Sequence, residues 1–360
     1  MPRCIIILAD ESAHWKIAGL RQLERLALEV ASLEGVRLTV LWDPALPAER
    51  RFSPRHPRLE PRLPSCDDTI SSALLLSTHL LLARGALCDF SLVSKDAADL
   101  RLPFVELLAK VRDVWKPNDS CIYLDAPTEI EAGEKRFLRA SGKSQDGLVS
   151  RFINRPISRA VSRRLLRTSI TPSSWTLAIF ILPLGGAALL ARGSYASIVI
   201  GLLLYQLYSI LDGCDGEIAR AKYLESDRGR QLDMWCDTAG NLLLALALGY
   251  GLGRFAEGIV VALLIAANEW LLTASRRSAF QNGTTAIRRI VYPRHERLLE
   301  SGLLVFGERF GWWLIQLTKR DVALLAFLLF AIAAQAAWIL HLLGGVAAIS
   351  TLLALRPRLR

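Results

Sequence analysis

The sequence predicts two architectures in series: an α/β sandwich of Rossmann type with a mostly parallel sheet, then an all-α bundle of six membrane-spanning helices. Three observations carry this. Over the first 125 residues, short apolar runs alternate with helically spaced ones. From residue 169 onward, charge-free stretches approach the roughly 20 residues that a bilayer core of about 30 Å requires. Between the two lies a basic belt. Residues 1–134 carry 16 Lys plus Arg against 20 Asp plus Glu, residues 135–168 carry 10 against 1, and residues 169–360 carry 18 against 13. Nearly all of the net charge of +10 therefore sits in 34 residues.

Within the first region, Cys4–Leu8, Val36–Trp42, His79–Ala83 and Cys121–Leu124 read as buried strands. Leu20, Leu23, Leu26, Ala27 and Val30 keep helical spacing, as do Val105, Leu107, Leu108, Val111 and Trp115 after Pro103. Prolines at 44, 47, 54, 57, 61 and 64 mark a long loop. Six cysteines without a CxxC pair read as thiols of a reducing compartment, and the N-terminal apolar run is too short for a signal peptide. A composition of 52% hydrophobic and 22% charged residues, with mean hydropathy +0.31, excludes a disordered polymer.

In the second region, Ser169–Ala191 and Gly193–Leu211 are free of charge for 23 and 19 residues. Thr238–Gly253 and Gly258–Ser275 read as two further spans. Val322–Leu355, charge-free for 34 residues, reads as two short helices with a turn near His341 and Gly344-Gly345. The division is 1–134 soluble domain, 135–170 linker and interfacial helix, and 171–356 membrane domain. With the N-terminus inside, nearly every basic loop faces the cytoplasm, as the positive-inside bias requires. The expected localisation is a multi-pass cell-membrane protein with its soluble domain and site cytoplasmic. Arg151, Arg155, Arg159 and Arg163 recur every four residues among apolar neighbours, the pattern of an amphipathic helix in the membrane interface. Membrane lipid is thus the expected partner of the belt. No aromatic stacking platform accompanies the arginines, so nucleic acid is not an expected one.

Asp212 and Asp215 lie three apart, and Asp233 and Asp237 four apart, so each pair shares a helix face. One carboxylate deep in a span costs roughly 2.5–3.5 kcal/mol, and four together about 10 kcal/mol before repulsion. Something positive must compensate. Carboxylate oxygens without His or Cys favour Mg²⁺, Mn²⁺ or Ca²⁺, and four of them suffice for two divalent ions. Gly216 and Ala219 leave room for a bulky anion, Arg220 can pair with a phosphate oxygen, and Gly229 suits a turn or close helix approach. The plain alternative is a set of helix caps paired with Arg220, Lys222, Arg228 and Arg230. Capping, however, does not call for four carboxylates in two facing pairs.

The string D-x-x-D-G-x-x-A-R-x8-G-x3-D-x3-D, met here by Asp212, Asp215, Gly216, Ala219, Arg220, Gly229, Asp233 and Asp237, resembles the signature of the CDP-alcohol phosphotransferase family. The resemblance covers about 148–356. It implies an integral membrane enzyme with two Mg²⁺ or Mn²⁺ ions on Asp212, Asp215, Asp233 and Asp237. Gly216, Ala219, Arg220 and Gly229 would then meet the CDP moiety. Asp237 would be the general base that deprotonates an acceptor hydroxyl, whose attack on the β-phosphorus of a CDP-alcohol expels CMP. The resemblance is also compatible with a homodimer.

The run from Asp146 to Arg159 is further similar to the bifunctional inositol-phosphate cytidylyltransferase and di-inositol-phosphate-phosphate synthases, which carry a fused nucleotidyltransferase domain. Thr171-Pro172 matches that group's Thr-Pro-Asn up to Ser173. An inositol phosphate or another phosphorylated polyol is the implied acceptor. The N-terminal domain departs from this pattern. Where a glycine-rich, arginine-bearing loop should cradle a triphosphate, the chain reads Leu8-Ala9-Asp10-Glu11-Ser12-Ala13-His14-Trp15-Lys16. Ala83-Arg84-Gly85-Ala86 replaces the later Gly-Asp metal position. The expectation is a nucleotidyltransferase-like domain without catalysis.

Arg276, Arg277, Arg288 and Arg289 are candidates for an acceptor phosphate, with anchoring to anionic lipid an equally good reading. Trp270 and Trp312-Trp313 read as interface anchors. Other classes stay open: a phospholipid synthase using CDP-diacylglycerol, a six-span transporter or metal channel lined by the aspartates, and a non-catalytic scaffold.

Overall fold

In the computed structural model, residues 4–33, 35–56, 58–59, 72–88, 95–96, 102–114, 121–140, 147, 149–281 and 319–355 are described. The chain forms two compact units. One comprises Met1–Ser144, Ser162–Ile170 and Glu217–Glu225, and the other comprises Gln145–Val161, Thr171–Gly216 and Ser226–Arg360.

The first unit is mixed α/β. Strand β1 (Cys4–Ala9) is buried throughout its length, as its unbroken apolar run requires of a central strand. After it come the short strands β2 (Lys16–Ile17) and β3 (Leu20–Arg21), helix α1 (Gln22–Ala31), and β4 (Arg37–Trp42). The strands β5 (Ser72–Ser77), β6 (Leu80–Leu82) and β7 (Lys95–Asp96) follow, then α2 (Phe104–Val114), β8 (Cys121–Tyr123) and α3 (Ile130–Ala140).

The main sheet has the order β4-β1-β5-β7. The strand β1 runs parallel to both neighbours, with Cys4 opposite Arg37 and Ala73, and β7 is antiparallel at the edge. Leu23, Leu26 and Val30 of α1 and Leu107 and Val111 of α2 pack with β1 and β5 in one apolar core. The apolar stretch around His79 is split by a turn at Thr78-His79. Its first half forms β5, which periodicity did not single out, and its second half forms β6, antiparallel to β8.

The second unit is mostly helical. A π-helical turn at Ser150–Asn154 leads into α4 (Arg155–Leu165). The buried stripe of this segment is polar, with Asn154, Arg155 and Ser158, while Phe152, Ile153 and Ile157 are exposed. That is the arrangement expected of a helix whose apolar face meets an interface.

The first charge-free run forms α5 (Pro172–Ile179) and α6 (Ile181–Leu190), broken at Phe180. Pro183 explains the break, because it has no N–H for the carbonyl of Ile179. Next come α7 (Tyr195–Ala221), α8 (Asp227–Gly251, capped by Ser226), α9 (Phe255–Gln281), α10 (Arg320–Ile332) and α11 (Ala337–Leu355).

Among the described residues, two stretches are long and apolar enough to cross a bilayer: Pro172–Leu190 and Tyr195–Ala221, with mean hydropathy 1.7 and 1.5. Leu177, Ile181, Leu203, Leu263, Leu329 and Leu352 point outward, whereas a water-soluble bundle would bury side chains of this size.

The last charge-free run does form two helices, but the break lies at Ala333–Ala336, where Ala334 adopts φ +57°, and not at His341 or Gly344-Gly345. Those residues lie inside α11. A Cβ at Gly344 would stand 3.1 Å from Val261, so this glycine serves close packing on α9 and not a turn.

Candidate metal centre and active site

Helices α7 and α8 run antiparallel across a short reversal, and this places their signature residues side by side. One carboxylate oxygen each from Asp212, Asp215 and Asp233 lies within 4.8 Å of the other two. The side-chain spacing of three on α7 puts Asp212 and Asp215 on one face, as expected. The Oδ1 atom of Asp212 is buried without a hydrogen-bond partner. An orphaned buried acceptor among crowded carboxylates is what a cation site leaves open, and an all-oxygen donor set suits a hard divalent ion. The residues fit such a group.

Asp237, one turn beyond Asp233, is held differently. Arg320, at the first position of α10, donates to Asp237 and stands 3.9 Å from Asp212. The Tyr208 hydroxyl donates to the Asp237 Oδ1 at 3.2 Å, and the Arg320 guanidinium lies 5.0 Å from the Tyr208 ring centre. Thr176 on α5, itself buried, donates to the Asp215 Oδ2 at 2.7 Å.

Arg320, Tyr208 and Thr176 were not singled out in the sequence. Arg320 had a readable signal: with Asp321 it is the last charge before 34 apolar or neutral residues. Tyr208 also had one, since it sits four residues before Asp212 on the same helix face.

Glycines admit neighbours to the site. A Cβ at Gly213 would stand 3.1 Å from an Arg155 guanidinium nitrogen, so the bare backbone lets the α4 arginine approach α7. Gly229 donates its N–H to the capping Ser226 hydroxyl at 3.0 Å and thereby fixes the start of α8. Gly216 lies on α7, and Ala219 and Arg220 occupy that helix's last turn. Arg276 and Arg277 lie in the last turns of α9, while Arg288, Arg289 and Trp312-Trp313 fall outside the described residues. Trp270 is exposed.

The α/β unit has a cavity of its own, of about 450 Å³, at the carboxyl ends of β1, β4 and β5. Asp10, Glu11, Ser12, Trp15, Asp43, Leu46 and His79 contribute to its lining, and among the described residues no Lys or Arg does. Asp10 accepts from the Ser12 N–H at 2.8 Å and pairs with His79 at 2.9 Å. Burial alone would raise the Asp10 pKa, but the His79 and Ser12 hydrogen bonds overcome it and bring the carboxyl down to about 2. His79 moves upward: burial opposes its charge, yet the bonds to Asp10 and to the Leu124 carbonyl outweigh that cost.

A cluster of carboxylates able to hold a cation, in a bundle with outward apolar faces, defines a membrane-associated class of protein. The sequence model of the CDP-alcohol phosphatidyltransferase family matches residues 170–353, just over half of the chain, and the chain belongs to that family of transferases.

Among curated proteins it is similar to three called "Bifunctional IPC transferase and DIPP synthase". With that of Rubrobacter xylanophilus it shares 43% identity over 36% of this chain and 29% of the relative. With that of Archaeoglobus fulgidus the figures are 33%, 40% and 28%, and with that of Thermococcus kodakarensis 39%, 34% and 28%. The matched stretch thus spans under a third of each relative.

Proposed function

We propose that this enzyme transfers a phosphoalcohol group from a CDP-alcohol to an acceptor hydroxyl with release of CMP. The observation that carries the reading is the convergence of carboxylate oxygens of Asp212, Asp215 and Asp233 within 4.8 Å, with Asp237 one turn away. These four residues would hold two divalent cations, Mg²⁺ or Mn²⁺, which when bound would neutralise charge developing on the departing CMP as the pyrophosphate linkage breaks.

Asp237 takes the proton of the acceptor hydroxyl. That oxygen forms a bond to the β-phosphorus as the bond from the β-phosphorus to the bridging oxygen breaks, and CMP departs with the bridging oxygen. Arg320 and Tyr208 hold the Asp237 carboxylate in one orientation. Gly216, Ala219, Arg220 and Gly229 serve the CDP moiety, and Arg276, Arg277, Arg288 and Arg289 an acceptor phosphate. The names of the relatives favour a phosphorylated polyol, inositol phosphate foremost, as acceptor, over phospholipid synthesis from CDP-diacylglycerol.

In this reading the bundle crosses the membrane six times with the site on the cytoplasmic side. The α/β unit does not catalyse nucleotidyl transfer, since its cavity presents carboxylates where a triphosphate would have to lie. Formation of a CDP-alcohol from CTP by the full chain would overturn that last point.

The decisive experiment is CMP release by the detergent-solubilised chain with a panel of CDP-alcohols and acceptors, with and without Mg²⁺. Asp237→Asn should abolish release while Mn²⁺ binding, read by electron paramagnetic resonance, persists in part. A lipophilic product from CDP-diacylglycerol would select phospholipid synthesis instead. Cation flux through vesicles without CMP release would point to a transporter.

A further inference from the structure

The eight residues between Arg220 and Gly229 carry none of the signature chemistry, yet the α/β unit holds them from several sides. Arg25 of α1, wholly buried, donates to the Ala221 carbonyl at 3.1 Å. His56 donates through Nε2 to the Lys222 carbonyl at 3.0 Å, and Arg58 donates to the Glu225 carbonyl. The Ala221 carbonyl, at the last residue of α7, is one that a helix end leaves without an intrahelical partner, and the Arg25 guanidinium suits the negative end of the helix dipole.

Tyr223 is fixed just as firmly. It adopts φ +54°, an uncommon conformation for a bulky side chain, and its hydroxyl donates to Glu29 while Arg84 lies 5.0 Å from its ring centre. Arg84 also pairs with Glu225. Beneath these contacts, Ile218 and Ala221 share an apolar core with Ile17, Ala18, Leu81, Leu124, Phe137 and Leu138. No plain linker needs three side-chain-bonded carbonyls and a strained tyrosine.

We infer that the α/β unit is a positioning element of the phosphotransferase: Arg25, Glu29 and Tyr223 hold the segment from Ala219 to Glu225 so that Arg220 is presented in one place to the CDP moiety. This rests on the phosphotransferase reading above. The three are positioning residues, because they act through Arg220 and touch neither substrate nor cation. The role suits a domain whose own cavity is ill matched to a nucleotide, since the fold is retained for what it grips.

The test uses the full-length protein in detergent, with CDP plus Mg²⁺ as the binding probe and Mn²⁺ paramagnetic resonance for the aspartates. Arg25→Met should weaken CDP binding at least tenfold and Tyr223→Phe about threefold, with Arg25→Lys intermediate. Mn²⁺ affinity should stay unchanged, and amide exchange should rise in 217–225. If Arg25→Met fails to fold, as judged by circular dichroism, Tyr223→Phe carries the test, because it deletes a single hydroxyl. CDP affinity undiminished in the folded variants, whether or not exchange rises, overturns this inference alone. Wild-type protein that binds no CDP overturns the phosphotransferase reading, and this inference with it.

Discussion

Arg320 bridges Asp237, to which it donates, and Asp212, 3.9 Å away, so one guanidinium from α10 ties together the first and last carboxylates of the signature. Its planar fork can serve two acids at once in a way that an ammonium cannot. In the proposed mechanism it would orient the base and offset the repulsion among four acids. Arg320→Met should lower kcat for CMP release about a hundredfold, the scale seen when one electrostatic contributor is removed from an active site. Arg320→Lys should recover part of it. Steady-state kinetics with Mg²⁺ decides the matter, and an unchanged kcat in Arg320→Met would remove Arg320 from the machinery.

Thr176 supports Asp215 from a different helix. Its hydroxyl donates at 2.7 Å from a buried position, so it fixes which way the carboxylate faces. Partners of this kind typically matter 10–100-fold for metal affinity. Thr176→Val keeps the shape and removes the donor. We expect about tenfold weaker Mn²⁺ binding by titration, together with a loss of stability of about 1–2 kcal/mol. Equal Mn²⁺ affinity in the two proteins would show that Asp215 needs no such support.

The contrast between Asp215 and Arg320 shows what a sequence exposes. The aspartate pairs were legible because their spacing fixes a shared helix face, and intramembrane charge demands compensation. Likewise β1, β4, α1 and α2 followed from apolar periodicity to within a residue or two. Arg320 showed in the sequence only as a charge at the edge of an apolar run; its role was not readable, because its partners are more than 80 positions away and only the packing of α10 onto α7 and α8 joins them. The turn expected at Gly344-Gly345 failed for a related reason: a glycine pair reads the same whether it bends the chain or admits a neighbour, and here Gly344 admits Val261. The docking of 217–225 in the α/β unit was equally unreadable, since its contacts from Arg25, His56 and Arg58 are non-local.

The Asp10–His79 pair makes the α/β unit sensitive to pH on both sides. Both side chains are largely buried, beside Glu11 and Asp43 in the cavity. Asp10 drops from its ordinary 3.8 to about 2, so its stabilisation of about 2 kcal/mol is present above the ordinary value and is lost as pH falls through about 2. His79 is raised, so its contribution is complete below its ordinary value of 6.5 and is lost as pH rises through the higher folded value. Thermal melting should therefore peak between about pH 4 and 6.5 and decline on the alkaline side. His79→Gln should flatten that alkaline decline, and a wild-type profile equally flat from pH 5 to 9 would show that the pair is not linked to folding.

At the far end of α8, two glycines set how closely its backbone meets the end of α6 and the turn that follows it. A Cβ on Gly251 would drive into the Leu190 carbonyl, and one on Gly193, which has φ +70°, into the Gly251 carbonyl. Backbone cannot swing aside as a side chain can, so Gly251→Ala should cost about 1–3 kcal/mol through overpacking. Gly253 separates this effect from backbone conformation. It has φ +69° but nothing within 4 Å of where an alanine methyl would stand, so Gly253→Ala carries only the left-handed penalty, of about 1 kcal/mol. Melting temperatures should fall in the order wild type, Gly253→Ala, Gly251→Ala, with Mn²⁺ affinity unchanged in both variants because the aspartates lie several turns away. The reverse order would mean that strain at Gly253, and not the close contact at Gly251, governs this end of the bundle.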